Sequence, residues 1–123
     1  MADVEGGPTG PSEGNEDLSS LLAWMVRWVE SQFDGNWEHG QGFALGLVDN
    51  PGWTLRIDVS NYDVSRTTLL PVKESDVDHT RFFFAEVTAD EVFDGTCDET
   101  QLERLLRVFR SLIETSPERP DDD

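Results

Sequence analysis

Residues 33–59 read FDGNWEHGQGFALGLVDNPGWTLRIDV, and the fold turns on how this stretch divides. Phe43, Leu45 and Leu47 alternate with Ala44, Gly46 and Val48, and Trp53, Leu55, Ile57 and Val59 alternate with Thr54, Arg56 and Asp58. A period of two is the pattern of a strand with one buried face. Between the two runs stands DNPG, where Pro51 presets its own backbone angle and Gly52 can take the positive φ that a type II turn requires at its third position. Two strands around a turn are expected here, preceded by a break at Asp34 and Gly35.

Working outward, the segment before this break has a helical period. Leu18, Leu21, Leu22, Met25, Val29 and Phe33 recur at three- and four-residue spacing, while Ser20, Arg27, Glu30 and Ser31 take the opposite arc. Asn15 or Asp17 can cap its start, and residues 34–36 (DGN) supply the stop. Trp24 and Trp28 flank the stripe and are expected to cover the edge of a sheet, since aromatics at helical spacing usually belong to a core.

Downstream, residues 67–72 and 81–87 read as strands, the second with Phe82, Phe83 and Phe84 in series as if covered on both faces. ADEVFDGTCD holds one more short strand. Leu102, Leu105, Leu106, Phe109, Leu112 and Ile113 form the stripe of a closing helix, DETQ at residues 98–101 resembles a capping box, and Glu103 with Arg107 and Arg110 with Glu114 have ion-pair spacing. The expected architecture is α+β: a mostly antiparallel, curved sheet of about four to five strands with an N-terminal and a C-terminal helix packed on it.

The chain has 123 residues, enough for one domain. Residues 1–16 and 115–123 are rich in acid, Gly, Pro and Ser and are expected to be disordered acidic tails around a single domain at 17–114. A lone cysteine, Cys97, excludes an internal disulfide and fits a reducing cytoplasm. No signal-peptide pattern or membrane-length apolar run is present. The net charge is -17, and residues 17–98 carry 15 acids against 5 bases, whereas residues 99–114 carry three of each. Such a field repels nucleic acid and anionic membrane and attracts basic partners.

Catalytic chemistry finds little support. His39 beside Glu38, with Asp34 and Asp49 near in sequence, invites a metal or acid–base site, but no HExxH spacing exists and the chain has only two histidines. Acids next to Cys97 would raise its thiol pKa. No G-x-S-x-G elbow, P-loop or G-x-G-x-x-G occurs. No catalytic residue, cofactor or metal ligand is assigned.

Residues 34–59 resemble the signature of the immunity protein 53 family of bacterial polymorphic-toxin systems, in which a Trp-Glu-His element precedes an Asn-Pro-Gly-Trp turn. The matching residues are Asp34, Gly35, Trp37, Glu38, His39, Gly42, Asp49, Asn50, Pro51, Gly52, Trp53 and Asp58. The tryptophan-bearing helix and the later FFFAEV and VFDGTCDETQLERLLRVF extend the likeness to about residues 18–114. Phe33 and Ala85 stand where the family often has cysteine or, at the first position, another polar residue.

The resemblance implies a cytoplasmic antitoxin, monomeric when free, that neutralises a cognate toxin domain by stoichiometric occlusion, without turnover and without direct contact to nucleic acid or membrane. The charge agrees with a basic toxin, such as a nuclease with a cleft for nucleic acid, although the toxin's chemistry is not encoded in this chain. Expected contact residues are the strand and loop acids Glu38, Asp49, Asp58, Asp63, Glu74, Asp76 and Asp78, with Trp37 or Trp53 as an aromatic anchor. Two other classes share parts of this pattern: a non-catalytic adaptor for another basic protein, and a small metal-dependent enzyme using Glu38, His39 and Asp49.

Overall fold

The computed structural model describes residues 17–35, 37, 42–48 and 51–119. Helix α1 (Leu18–Ser31) is followed by strands β1 (Phe43–Val48), β2 (Gly52–Asp58), β3 (Val72–Ser75), β4 (Phe82–Val87) and β5 (Val92–Asp98), and by helix α2 (Leu102–Thr115). The five strands form one sheet in the order β1-β2-β5-β4-β3, and every neighbouring pair is antiparallel. This is the α+β arrangement expected from the periodicities.

The late strand that reads only as a short segment in the sequence is the centre of the sheet. On one face of β5, Phe93, Gly95 and Cys97 stand opposite Ile57, Leu55 and Trp53 of β2 and opposite Val87, Ala85 and Phe83 of β4. Helix α2 lies over this face. A Cβ on Gly95 would come within 2.5 Å of the Leu105 side chain, so the bare glycine is what allows the helix to sit directly on the strand. Phe109 meets Phe93 edge-on at 5.2 Å.

Helix α1 reaches the core largely across α2. Asp17 caps it, accepting from the Ser20 N–H at 3.0 Å, and Leu21, Met25 and Trp28 are buried. Trp28 sits amid Phe109, Trp37 and Tyr62, with ring centroids 5.0 to 6.1 Å away, and donates its indole N–H to the Tyr62 hydroxyl at 3.0 Å. Trp37 donates to the Asp58 carbonyl at 3.1 Å. Both indoles thus gain apolar burial without leaving their N–H unpaired. The sheet-edge role expected for Trp24 and Trp28 is replaced by one between the helices and the loop after β2, with Trp24 half-buried against Trp28 and Phe109.

Asp98 closes the last turn of the architecture. Fully buried at the end of β5, it accepts from the Phe82 N–H at the start of β4 (2.8 Å), from the Thr100 N–H (2.9 Å) and hydroxyl (2.5 Å), and from the Gln101 amide (2.8 Å). Burial pushes its carboxyl up, but the donors of Thr100, Gln101 and Phe82 more than offset this and hold it well below the ordinary carboxylate range. The capping box expected at residues 98–101 is therefore a different device. Gln101 occupies the N-cap without a side-chain cap, and Asp98 ties two strands and the helix start together.

Three further expectations change. The strand placed at residues 67–72 is Val72–Ser75, because Pro71 has no N–H to give to a ladder. Gly52 does not adopt positive φ; a side chain there would drive its Cβ into the Cys97 carbonyl, so the residue permits close approach of β2 to β5. Residues 116–119, expected within a disordered tail, pair with the loop after β2: Asp63 N–H donates to Pro117 O at 2.8 Å, Arg119 N–H donates to Asn61 O at 2.9 Å, and Arg119 joins Glu91 in an ion pair of 2.6 Å. The expected tails at residues 1–16 and 120–123 lie outside the described residues.

Replacing Asp98 with Asn keeps the shape but turns an amide N–H₂ toward donors. It should cost on the order of 2 to 3 kcal/mol at pH 7, measured by urea unfolding. Because the folded-state pKa is depressed, the contribution of the carboxylate is present above its ordinary value of 3.8 and is lost as pH falls through the folded-state value. The gap between wild type and variant should therefore shrink in melts at pH 3, and equal midpoints at pH 7 would contradict this role.

Candidate functional site

Strand alternation gives the sheet a second face, and among the described residues no helix covers it. In register across the strands, Gly46, Thr54, Thr96, Phe84 and Lys73 form one row, and Ala44, Arg56, Asp94 and Glu86 the next. The centre of this surface is small and uncharged, with an aromatic at one side. Phe82 lies over Gly52 and is buried, while Phe84, stacked on it at 6.2 Å, is 40% exposed. The Phe82–Phe84 triplet therefore splits between the faces, Phe83 inward and its neighbours outward, and Phe84 lacks the cover expected for it.

Charge on this face is arranged unevenly. Arg56 pairs with Asp94 at 3.2 Å. Glu86 stands directly across from Asp94 on the other side and is exposed, with no cation on it among the described residues. Like charges in opposite positions of an antiparallel pair are destabilising. Phe84, Glu86, Asp94, Thr96, Val72, Lys73 and Ala85 line a shallow depression of about 260 Å³.

The two layers also differ in balance. Helix α1 contains Glu30 and Arg27, and α2 contains Glu103 and Glu114 against Arg104, Arg107 and Arg110. Residues 52–98, which hold four of the strands and their connections, contain ten acids and four bases. The acid excess of the described residues lies in the sheet layer.

The acids singled out in the sequence do not form one patch. Asp58, half-buried on the helix-free face, accepts from the Ser60 N–H at 2.8 Å. Glu74 lies on the opposite face, where both carboxylate oxygens take the Arg104 guanidinium at 2.7 and 2.8 Å. That fork holds the Glu74 carboxyl below its usual range, and Arg104 in turn rests over the Phe83 ring at 4.0 Å. Asp63 accepts from Ser65, and Asp76 accepts from the N–H groups of Thr80 and Arg81 to close the β3–β4 turn. Asp78 is exposed in that turn, beside Val77, which is 93% exposed. Asp58 and this turn lie at opposite ends of the sheet. Trp37 is in the core and Trp53 is half-buried on the helix-covered face. Glu38 and Asp49 lie outside the described residues.

Phe84, Glu86, Asp94 and Thr96 were passed over in the sequence. Their alternation with Phe83, Ala85, Phe93, Gly95 and Cys97 marks them as sharing the other side of their strands, but only the register makes them neighbours.

Little here is arranged for catalysis. The Cys97 thiol is fully buried, and burial together with the adjacent Asp98 pushes its pKa up to about 11, the opposite of an activated nucleophile. Among the described residues no three His, Cys, Asp or Glu side chains group as a metal would need. The metal alternative built on Glu38, His39 and Asp49 lies outside the described residues. His79 sits in the β3–β4 turn, its Nδ1 3.0 Å from the Ser75 hydroxyl. An open hollow of about 530 Å³ near the end of α1 is lined by groups such as Asn61 and Arg119, which are engaged with Gln32 and Glu91. No helix of the described residues is long and apolar enough to cross a membrane.

Comparison with known proteins adds one decisive finding. Residues 22–114 match the family described as Immunity protein 53. The chain belongs to the immunity protein 53 family. The match begins inside α1 and ends inside α2, so it takes in the whole sheet and most of both helices. No curated protein and no solved structure matches the chain. Membership in this family makes the chain an immunity protein of toxin systems.

Glu86 should be a residue whose replacement stabilises the free protein. Glu86→Lys turns a repulsion across the pair with Asp94 into an attraction, and the urea midpoint should rise by the equivalent of a few tenths to 1 kcal/mol. A fall in the midpoint would show that the carboxylate contributes to the fold.

Proposed function

We propose that this immunity protein 53 family member is a cytoplasmic, non-catalytic antitoxin, monomeric when free, that binds one cognate polymorphic-toxin domain and blocks it by occupying its surface. Family membership is the observation that carries this reading. The acid excess of the sheet layer supports a basic partner, because oppositely charged surfaces steer encounter and discriminate among partners. A toxin that grips nucleic acid presents such a basic cleft, so a nuclease is the proposed target class, with the carboxylates standing in for phosphates.

The acids Glu38, Asp49, Asp58, Asp63, Asp76 and Asp78 are proposed to contribute to recognition. Glu74 is already engaged by Arg104, and Trp37 is buried, so their contribution is to hold the binding surface in shape. Trp53, half-buried, is retained as a contact only at its exposed edge.

The test is co-expression with the toxin domain encoded next door, followed by growth measurement and calorimetry of the purified pair. The expected results are growth rescue, one-to-one stoichiometry, and affinity that weakens as salt rises from about 50 to 500 mM. The variant Glu38→Lys/Asp49→Lys/Asp58→Lys should fold and rescue poorly. A wild-type chain that neither binds nor rescues would count against the antitoxin reading and favour an adaptor for a different basic protein.

A further inference from the structure

We propose that the toxin docks on the helix-free face of the sheet, with Phe84 as its apolar anchor and with Glu86 and Asp94 receiving a basic side chain of the toxin. This deepens the antitoxin reading and rests on it. Four observations converge on the face.

First, among the described residues it is the broad surface that no helix covers. Both helices pack on the side of Phe93, Gly95 and Cys97, while the row Gly46, Thr54, Thr96, Phe84 lies open and carries no charge until Lys73. An uncharged row with an aromatic, flanked by the charged row of Arg56, Asp94 and Glu86, combines the apolar and polar parts of a protein interface. Second, the partner proposed is basic, and the helical layer does not favour it: α1 and α2 together hold three acids and four bases, whereas the strand positions of the open face hold Asp58, Glu86 and Asp94 against Arg56 and Lys73. Of the two sides the open face is the one with an excess of acid, and charge complementarity favours it.

Third, Glu86 and Asp94 are juxtaposed at a cost to the free protein. Arg56 pairs with Asp94 from one side, while among the described residues no ion pair forms on Glu86, with Lys73 lining the same depression without reaching it. A guanidinium or ammonium from the toxin would relieve that repulsion only in the complex, so binding would recover what folding gives up. Fourth, the depression beside them, about 260 Å³, is bordered by the exposed Phe84 ring. An arginine stem can lie on that ring while its guanidinium meets the carboxylates, combining stacking with charge-assisted hydrogen bonds. A second copy of the chain is the poorer occupant, because each copy carries a net charge of -17.

The experiment uses the full-length protein and the toxin domain encoded beside it. Phe84→Ala and Glu86→Lys should each weaken binding by about tenfold or more and reduce growth rescue, whereas Glu103→Lys and Val26→Ser on the helical layer should stay within about twofold. Unfolding midpoints separate lost contacts from lost structure, and Glu86→Lys is informative because it should bind worse while melting no lower. Wild-type binding that survives both face substitutions overturns the docking face and leaves the antitoxin reading intact. Sedimentation showing a free dimer that Phe84→Ala dissolves would assign the face to self-association and overturn the proposal. Failure of the wild type to bind any form of the toxin removes both.

Discussion

The structure depends on how α2 is seated on β5. Gly95 lets Leu105 approach the strand, Phe109 closes on Phe93, and Asp98 joins the end of β5 to the start of β4 and to the turn that launches the helix. A carboxylate removed from water is costly unless its oxygens are occupied, and here four donors occupy them. The strand order then follows outward from β5 in both directions, and α1 is added over α2 through the Trp28 cluster.

Because both helices are committed to one face, the other has no helix over it among the described residues. That asymmetry separates two tasks within a small chain. The helices are nearly balanced in charge and share the core with the inner side of the sheet; the strands and their connections carry most of the acid excess, and the open face carries an exposed aromatic. Among the described residues the Cys97 thiol is buried with its pKa raised, and the carboxylates are scattered over both faces and the turns.

Much of the fold was legible in the sequence, and the reasons for the gaps are physical. The helical stripes of α1 and α2, the alternation in β1 and β2 and the continuous apolar run of β4 are local signals, and they located those elements. Strand β5 read as minor because Gly95 and two acids dilute its apolar pattern, although these same residues suit a strand under a helix at its centre. DETQ looks like a local cap, yet the N-cap is Gln101, and Asp98, besides taking Thr100 and Gln101, also takes the Phe82 N–H, far away in sequence. The site was the least legible part. Alternation tells which residues share a side of one strand, but Phe84, Thr96 and Thr54 become neighbours only through strand order and register. Ranking exposed acids by sequence mixed two faces: Asp58 lies on the open one, while Glu74 faces α2. Family membership, by contrast, was carried by local motifs and was visible from the outset.

The most direct measurement is amide and side-chain NMR of the isotopically labelled 13.9 kDa chain titrated with its toxin domain. The account predicts shifts concentrated at Thr54, Phe84, Glu86, Asp94 and Thr96, with the exposed residues of α1 and α2 unmoved. Shifts concentrated on the helices with the open face silent would contradict it.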